Sequence, residues 1–368
     1  MIGKVVSLFA GVGGLDYGFS ERGFDISYVN EFHENTARSY ELIHGTTVDT
    51  ADINQVILDE LPDCDLIIGG PPCQSFSLVG KRKPNDPRGK CVFKFLEAVK
   101  KKQPTAFVME NVPGIRASWV EEEPGKKRRL IEFLKNEFRE LGYQVNDLKL
   151  KAIEYGVPQR RERIVLFGSM NGLASMPNSE VFFDELGFSA DGYETSARAA
   201  IGDLGKPVGK GKLARYNGEE ISDFASLMRM KVETGITLHE MPRMSKRDLA
   251  YVESIPPGGN YRDIPDEIST PRVMYFKSTG GRTTTYGRLH PDRPSYTINT
   301  AFRRPNVGCN FHYSEKRLIT PREAMRFQSM PDNWTLHYSA QDERNAMIGN
   351  AVPPLLSRAI SIAVEDVL

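Results

Sequence analysis

The residues able to do chemistry lie in a few short segments. Gly69-Gly70-Pro71-Pro72-Cys73-Gln74-Ser75-Phe76-Ser77 fixes one cysteine behind a rigid Pro-Pro turn, whereas a structural cysteine is more often buried in a strand or helix. A thiol with pKa near ~8.5 is only slightly ionised at neutral pH, yet it is a good nucleophile, and neighbouring cations raise the ionised fraction. Glu110-Asn111 follows an apolar run, and a carboxyl beside apolar neighbours can hold a proton near neutral pH. In Phe9-Ala10-Gly11-Val12-Gly13-Gly14, the glycines Gly11, Gly13 and Gly14 permit a tight turn and close approach of backbone to a ligand. A dinucleotide fingerprint starting at Gly11 would need glycine at position 16, where Asp16 stands, so a nucleoside without phosphates fits better. Glu31, 20 residues past Gly11, is spaced to take a ribose hydroxyl pair. Together these segments predict covalent catalysis beside a bound nucleoside.

Such groups need a frame. Val5 to Phe9, Ile26 to Val29, Asp65 to Ile68, Ala106 to Met109 and Ile164 to Phe167 read as short strands. Val92, Phe93, Phe95, Leu96 and Val99, then Leu130, Ile131, Leu134, Phe138 and Leu141, recur at helical spacing between them. The alternation predicts an α/β fold: a Rossmann-like, mostly parallel sheet with flanking helices. Ligands of such sheets bind beyond the carboxyl ends of the strands, where Gly11, Glu31, Cys73 and Glu110 all fall. From 169 to 287 the periodicity weakens and Gly and Pro clusters appear, which predicts a smaller, loop-rich domain. Thr320-Pro321-Arg322-Glu323 is a capping box with proline at the first helical position. Leu355, Leu356, Ala359, Ile360, Ala363, Val364 and Val367 form a stripe that should return a last helix to the first domain. The expected division is a catalytic domain over 1–168 and 320–368, a second domain over 169–287, and a connecting segment over 288–319.

Composition narrows the class. The 368 residues carry 48 basic and 48 acidic side chains, a formal net charge of zero. That neutral mean argues weakly against nucleic acid but hides an asymmetry. Residues 1–62 hold three basic against ten acidic side chains, whereas 272–304 hold Arg272, Lys277, Arg282, Arg288, Arg293, Arg303 and Arg304 against Asp292 alone. With tyrosines and phenylalanines interleaved, the second segment can lie along a phosphate backbone or simply form a solvated basic face. Cys64, Cys73, Cys91 and Cys309 include no C-x-x-C pair, so structural zinc and disulfides are not expected, and no metal site is. The N-terminus shows no secretory signal, and no run approaches ~18 unbroken apolar residues, so a cytoplasmic protein off the membrane is expected.

Taken in order along the chain, Ser7 to Gly14, Asn30-Glu31-Phe32, Asp52-Ile53, Gly69 to Ser77, Glu110-Asn111-Val112, Gly156 to Ile164 (G-V-P-Q-R-R-E-R-I), Arg293 to Ile298 (R-P-S-Y-T-I) and Gly349 to Pro353 (G-N-A-V-P) resemble the motifs of the DNA cytosine-5 methyltransferase family. The resemblance spans nearly the whole chain. It implies S-adenosylmethionine as cofactor and double-stranded DNA as substrate. It makes Cys73 the nucleophile on cytosine C6, Glu110 the group that stabilises charge at N3 and the exocyclic amine, and Arg161 and Arg163 the cations near the flipped nucleotide. It places Phe9, Gly11, Gly13, Gly14, Glu31, Phe32, Asp52, Ile53, Pro72, Asn350 and Val352 around the cofactor, and Gln74, Ser77, Asn111, Gln159, Arg293 and Thr297 on the substrate side. Residues 169–287 become the target recognition domain. The family further implies a monomer modifying a specific site, with a restriction endonuclease acting on the same site but forming no stable complex. Phe32 stands where an indole is common, and Gln328 to Pro331 where a Gly-aromatic pair is commoner.

Rivals make different demands. RNA cytosine-5 methyltransferases typically use two cysteines, and no cysteine accompanies Glu110-Asn111. A transfer-RNA-modifying branch with the same motifs is separated only by its substrate. A binding module that has lost catalysis is disfavoured by intact Cys73, Glu110 and Arg161, and a nicotinamide-dependent dehydrogenase by Asp16.

Overall fold

Val5 to Leu8 are all buried, as a strand covered on both faces requires, and this strand becomes the middle of a sheet. The computed structural model describes residues 2–72, 90–123, 126–218, 221–232 and 235–368. The chain divides into two compact units, Met1–Lys151 with Glu162–Asn178 and Pro354–Leu368, and Ala152–Arg161 with Ser179–Pro353. The segments 152–161 and 320–353, grouped with the first domain on sequence, belong to the second compact unit.

In the first unit the elements run β1 (Lys4–Leu8), α1 (Gly14–Glu21), β2 (Asp25–Asn30), α2 (Glu34–His44), β3 (Leu66–Gly69), α3 (Lys90–Lys102), β4 (Ala106–Asn111), α4 (Leu130–Glu140), β5 (Gln144–Lys151), β6 (Glu162–Ser169) and α5 (Pro354–Glu365). A two-stranded hairpin, Trp119–Glu123 with Lys126–Arg129, precedes α4. The sheet order is β2-β1-β3-β4-β6-β5. The first four strands are mutually parallel and β6 runs antiparallel to both its neighbours. This is the mostly parallel sheet expected from sequence, with β5 as an addition. That strand, QVNDLKLK, has mixed exposure at the sheet's edge, so its pattern carries little apolar signal.

Register does the positioning. Leu8 pairs with Asn30 and with Gly69, and Gly69 with Met109, so four strand ends form one row. The next residue of each chain is Phe9, Glu31, Gly70 and Glu110. Because β6 is antiparallel, its first residues arrive at this same edge, with Asn111 opposite Ile164 and Arg163 one step beyond. The chain goes from β1 outward to β2 and then crosses to β3 on β1's other side, which makes the gap between β1 and β3 the switch point where such sheets bind ligands.

One face of the sheet is packed by α3 and α4, with Phe107 4.0 Å from Phe138 and 5.2 Å from Tyr143 between ring centroids. On the other, α1 crosses α5 at Gly18, where a Cβ would sit 2.3 Å from backbone atoms of Ser357 and Arg358. Ser357 Oγ accepts the Gly18 N–H at 3.2 Å, and Ser361 Oγ donates to Gly18 O at 3.1 Å. The last helix therefore does return to the first strands' unit. The stretch Gln341–Glu365 is apolar and long enough for a membrane span by composition, but 83% of its apolar 18-residue window is buried inside the protein and it is broken at 351–353, the mark of core helices.

The second unit is built from short helices, including Ser179–Glu185, Asp223–Arg229, Lys246–Ser254 and Pro271–Thr279, with two- or three-residue strands. The capping box at Thr320 and Glu323 forms as read, but every residue of Pro321–Phe327 is buried, charged ones included. Arg326 forks onto both oxygens of Asp332 at 2.6 Å and reaches Asp203 at 3.1 and 3.2 Å. Arg317 meets the two oxygens of Glu323 at 2.8 and 2.6 Å. Such charges stay inside only because each is matched.

Candidate active site

The loop after β1 turns sharply. Phe9 has φ +56° and Gly11 φ +60°, and the left-handed conformation costs a non-glycine residue roughly 1–3 kcal/mol, so it persists only where neighbours enforce it. Ala10 N–H donates to Asn30 O at 3.1 Å and Gly13 N–H to Ala10 O at 3.0 Å, which supplies that enforcement. A Cβ on Gly11 would meet nothing within 4 Å, so this face is open. Gly13, expected to admit a ligand, instead faces protein: a Cβ there would lie 2.0 Å from His44 Nε2 and 2.8 Å from Tyr40. Gly14 is buried as the first residue of α1.

Beneath the loop, Tyr40 Oη donates to Asp16 Oδ2 at 2.8 Å. Burial raises the Asp16 carboxyl to about 6, with hydrogen bonds opposing, and lowers His44 to about 4, so His44 is neutral and its Nε2–H donates to Val12 O at 3.1 Å. The residue that excluded a dinucleotide fingerprint thus closes the underside of the loop.

Glu31 is placed by two amides from different segments. Gly11 N–H donates to its Oε2 at 3.0 Å and His33 N–H to its Oε1 at 2.9 Å. Each oxygen keeps acceptor capacity for a hydroxyl pair. Beside it the Phe32 ring is 57% exposed, its edge on the His33 ring at 5.5 Å between centroids. Asp52 is half-buried, its Oδ1 accepting the backbone and side-chain N–H groups of Asn54 at 2.9 and 2.8 Å, while Ile53 is buried under it. The loop bearing Asp52 is held by Asn30, whose Nδ2 donates to Asp49 O at 3.1 Å and Ala51 O at 2.9 Å. Asn30 was visible in the motif, but its positioning role was not. A carboxylate, an exposed ring, a second carboxylate and an open glycine fit a nucleoside cofactor without phosphates.

On the neighbouring strand ends, Glu110 and Arg163 form a buried ion pair, Nε to Oε1 at 2.7 Å, with side chains 10% and 9% exposed. Burial pulls the Arg163 guanidinium below its ordinary value while the Glu110 charge opposes this, and Nη1 donates to Glu162 O at 2.8 Å. Asn111 does not point outward to a substrate. Its Nδ2 donates to Pro71 O at 2.9 Å and its Oδ1 accepts the Val112 N–H at 2.9 Å, which ties β4 to the Pro-Pro turn. Pro72 is half-buried at the same edge, and Cys73, Gln74 and Ser77 lie outside the described residues.

The remaining candidates belong to the second unit. Gln159, expected on the substrate side, is wholly buried and satisfied internally: Nε2 donates to Phe327 O at 2.9 Å and Gln328 Oε1 at 2.8 Å, and Oε1 accepts the Ile298 N–H at 2.8 Å. Arg161 is also buried, with Nη1 on Ile298 O at 3.2 Å and Nη2 on Gly349 O and Ala351 O at 2.9 Å each. It pins the segment carrying Asn350 and Val352. Asn350 is exposed as the last residue of the helix Gln341–Asn350, Val352 is buried, and Gly349 is helical, with room for no Cβ against Asn299 and Thr300. Arg293 is exposed, and Thr297 Oγ1 donates to Arg160 O at 2.7 Å.

The basic segment 272–304 is partly neutralised. Lys277 pairs with Asp266 at 2.5 Å, Arg303 with Asp342 at 2.5 and 2.9 Å, and Arg288 donates to the carbonyls of Val252, Ile255 and His312. Arg272, Arg282, Arg293 and Arg304 are exposed, Arg272 with its guanidinium 5.4 Å from the Phe276 ring centroid and Arg304 acting on the Asp342 carboxylate.

A family model described as C-5 cytosine-specific DNA methylase matches residues 3–365. The chain is 31% identical over 355 residues to the Type II methyltransferase M.NgoFVII of Neisseria gonorrhoeae, covering 95% of this chain and 83% of that one. It is 29% identical to M.FnuDI of Fusobacterium nucleatum, covering 99% and 95%. Among solved structures, a protein described as a DNA modification methyltransferase encoded within an E. coli prophage shares the fold at TM-score 0.72 and 22% identity, covering 99% of each chain. The S. pombe Dnmt2 methyltransferase does so at 0.62 and 16%, covering 99% and 98%. A match over essentially the full length, on a chain whose strand ends gather Phe9, Glu31 and the buried Glu110–Arg163 ion pair, makes this protein a member of the C-5 cytosine-specific DNA methylase family.

Proposed function

We propose that this DNA cytosine-5 methyltransferase is the site-specific modification enzyme of a restriction-modification system, with Cys73 as its nucleophile. The names of its relatives, Type II methyltransferases, favour the biological setting. The catalytic reading is carried by one observation, the buried Glu110–Arg163 pair on the strand end beside the Gly70–Pro72 turn that leads to Cys73.

The chain's residues then divide the work. The Cys73 thiolate bonds to C6 of the base, and as the displaced electron pair moves toward N3 that nitrogen takes up the proton of the Glu110 carboxyl. Arg163 holds the carboxyl in place and stabilises the carboxylate left behind. Once C5 carries the methyl group, loss of the C5 proton to water, return of the N3 proton to Glu110 and expulsion of the thiolate restore the aromatic base and the free cysteine. Glu31, Phe32, Asp52 and the open face at Gly11 would hold S-adenosylmethionine, which supplies the electrophilic methyl group. Residues 169–287 serve as the target recognition domain, and Arg272, Arg282, Arg293 and Arg304 meet phosphates or base edges of the duplex from which the cytosine is swung out. The enzyme works as a monomer, and its cognate endonuclease acts on the same site without a stable complex.

The test is direct. The protein is incubated with S-adenosylmethionine and either mixed-sequence duplex DNA or transfer RNA, the nucleic acid is hydrolysed, and nucleosides are weighed by mass spectrometry. 5-Methyldeoxycytidine from DNA alone, absent with Cys73→Ala although that variant still binds DNA, is the expected result. Methylation by Cys73→Ala at the full rate would sink the nucleophile assignment, and product on RNA alone would move the substrate.

A further inference from the structure

Gly69 and Gly70 look alike in sequence, but the structure gives them different reasons to be glycine. A Cβ on Gly69 would lie 2.4 Å from Leu8 O, so that position is small because β1 and β3 press together there. Among the described residues, the nearest atom to a Cβ at Gly70 would be Glu110 Oε2 at 3.3 Å, with backbone no nearer than 4.0 Å. Gly70 is not among the residues with left-handed φ, so conformational freedom does not explain it either. The other carboxylate oxygen, Oε1, is held by Arg163 Nε at 2.7 Å. The Glu110 carboxyl is therefore bounded by a guanidinium on one side and by a bare Cα on the other.

We propose that Gly70 is a positioning residue for methyl transfer: its missing side chain sets where Glu110 Oε2 stands, and so how the carboxyl meets the target base. This rests on the reading of Glu110 as the group that stabilises charge on that base. A methyl carbon 3.3 Å from a carboxylate oxygen is a few tenths of an ångström too close, and the end of a glutamate side chain yields more readily than backbone. With Oε1 anchored on Arg163, the carboxyl turns about that contact and Oε2 moves. The charge to be met develops only after attack on C6, so the loss falls on the chemical step rather than on binding.

The experiment measures single-turnover methylation rates, with dissociation constants for duplex DNA and S-adenosylmethionine, for Gly70→Ala, Glu110→Asp and their combination. Displacements of a fraction of an ångström at a reacting group predict a rate about 10-fold lower for Gly70→Ala, with both affinities little changed. In the Glu110→Asp background the shorter side chain no longer reaches the new methyl. There, adding Gly70→Ala should change the rate by less than about twofold. A full rate for Gly70→Ala overturns the proposal. So does an equal slowing in both backgrounds, since that marks a disturbed Pro71-Pro72 turn. If Glu110→Asp and Glu110→Gln both keep the full rate, the reading of Glu110 itself falls, which is a separate result from either of these.

Discussion

Arg163→Met removes one charge of a buried pair and strands the other. The two side chains are 9% and 10% exposed and meet at 2.7 Å, so the Glu110 carboxylate is left with little water and without its cation. Breaking a buried pair from one side costs roughly 3–5 kcal/mol. At roughly 2–4 °C per kcal/mol for a domain of this size, the melting temperature should fall by about 6–20 °C. Adding Glu110→Gln removes the stranded charge, and the double variant should regain all but ~1 kcal/mol while remaining inactive. Thermal unfolding followed by circular dichroism, with methylation measured on the same samples, reads both. A melting temperature for Arg163→Met within about 1 °C of the parent would refute the reasoning, because the pair would then be solvated rather than buried.

Three other outcomes are expected. Burial holds His239 and His312 neutral, below their ordinary range, and at Glu323 burial, which would raise the carboxyl, is outweighed by the Arg317 guanidinium, which holds it at about 2. The histidine contribution to stability is present above about 6.5 and lost as pH falls below it, and the Glu323 contribution is lost between about 4.5 and about 2. Asp16, raised to about 6, has the opposite sign and stabilises at low pH. Hydrogen exchange should accordingly show protection of Pro321–Phe327 falling more steeply than that of α1 on acidification; a parallel loss in both would contradict the assignment. Gly18→Ala should destabilise by several kcal/mol, roughly 3 or more, because the new methyl meets α5 backbone, and denaturant unfolding would expose an error if the cost were near zero. Arg282→Ala should weaken DNA binding and lower the logarithmic salt slope by about 1, whereas Arg288→Ala should lower stability without changing the slope; fluorescence anisotropy across a salt series separates them, and equal slopes for the two variants would end the distinction.

The strand ends were legible because buried parallel strands leave continuous apolar runs, and the groups beyond them stand out as small or polar residues in an apolar frame. Gly11, Glu31, Glu110 and the Pro71-Pro72 turn were found this way. β5 was not, since an edge strand of mixed exposure carries no apolar run. The reach of long side chains was equally hidden. Arg161 and Gln159 share a basic motif with Arg163, yet they are buried on carbonyls and amides, while Arg163 meets Glu110. Charge counting also overstated the 272–304 segment, because Asp266 and Asp342, which neutralise Lys277 and Arg303, lie outside it.

By itself, then, the sequence determined the alternation of strands and helices, the order of the motifs and the kinds of group at each strand end, for these depend on local periodicity and residue chemistry. Tertiary structure decided which of those groups meet. Register put Phe9, Glu31, Gly70 and Glu110 in one row, and the antiparallel entry of β6 brought Arg163 to Glu110. It also turned Gly13 toward His44, Gly18 toward α5 and Gly70 toward a carboxylate. A residue type states what a position can tolerate. Which neighbour makes use of that tolerance is set by contacts between segments far apart in the chain, and those exist only once the sheet has formed.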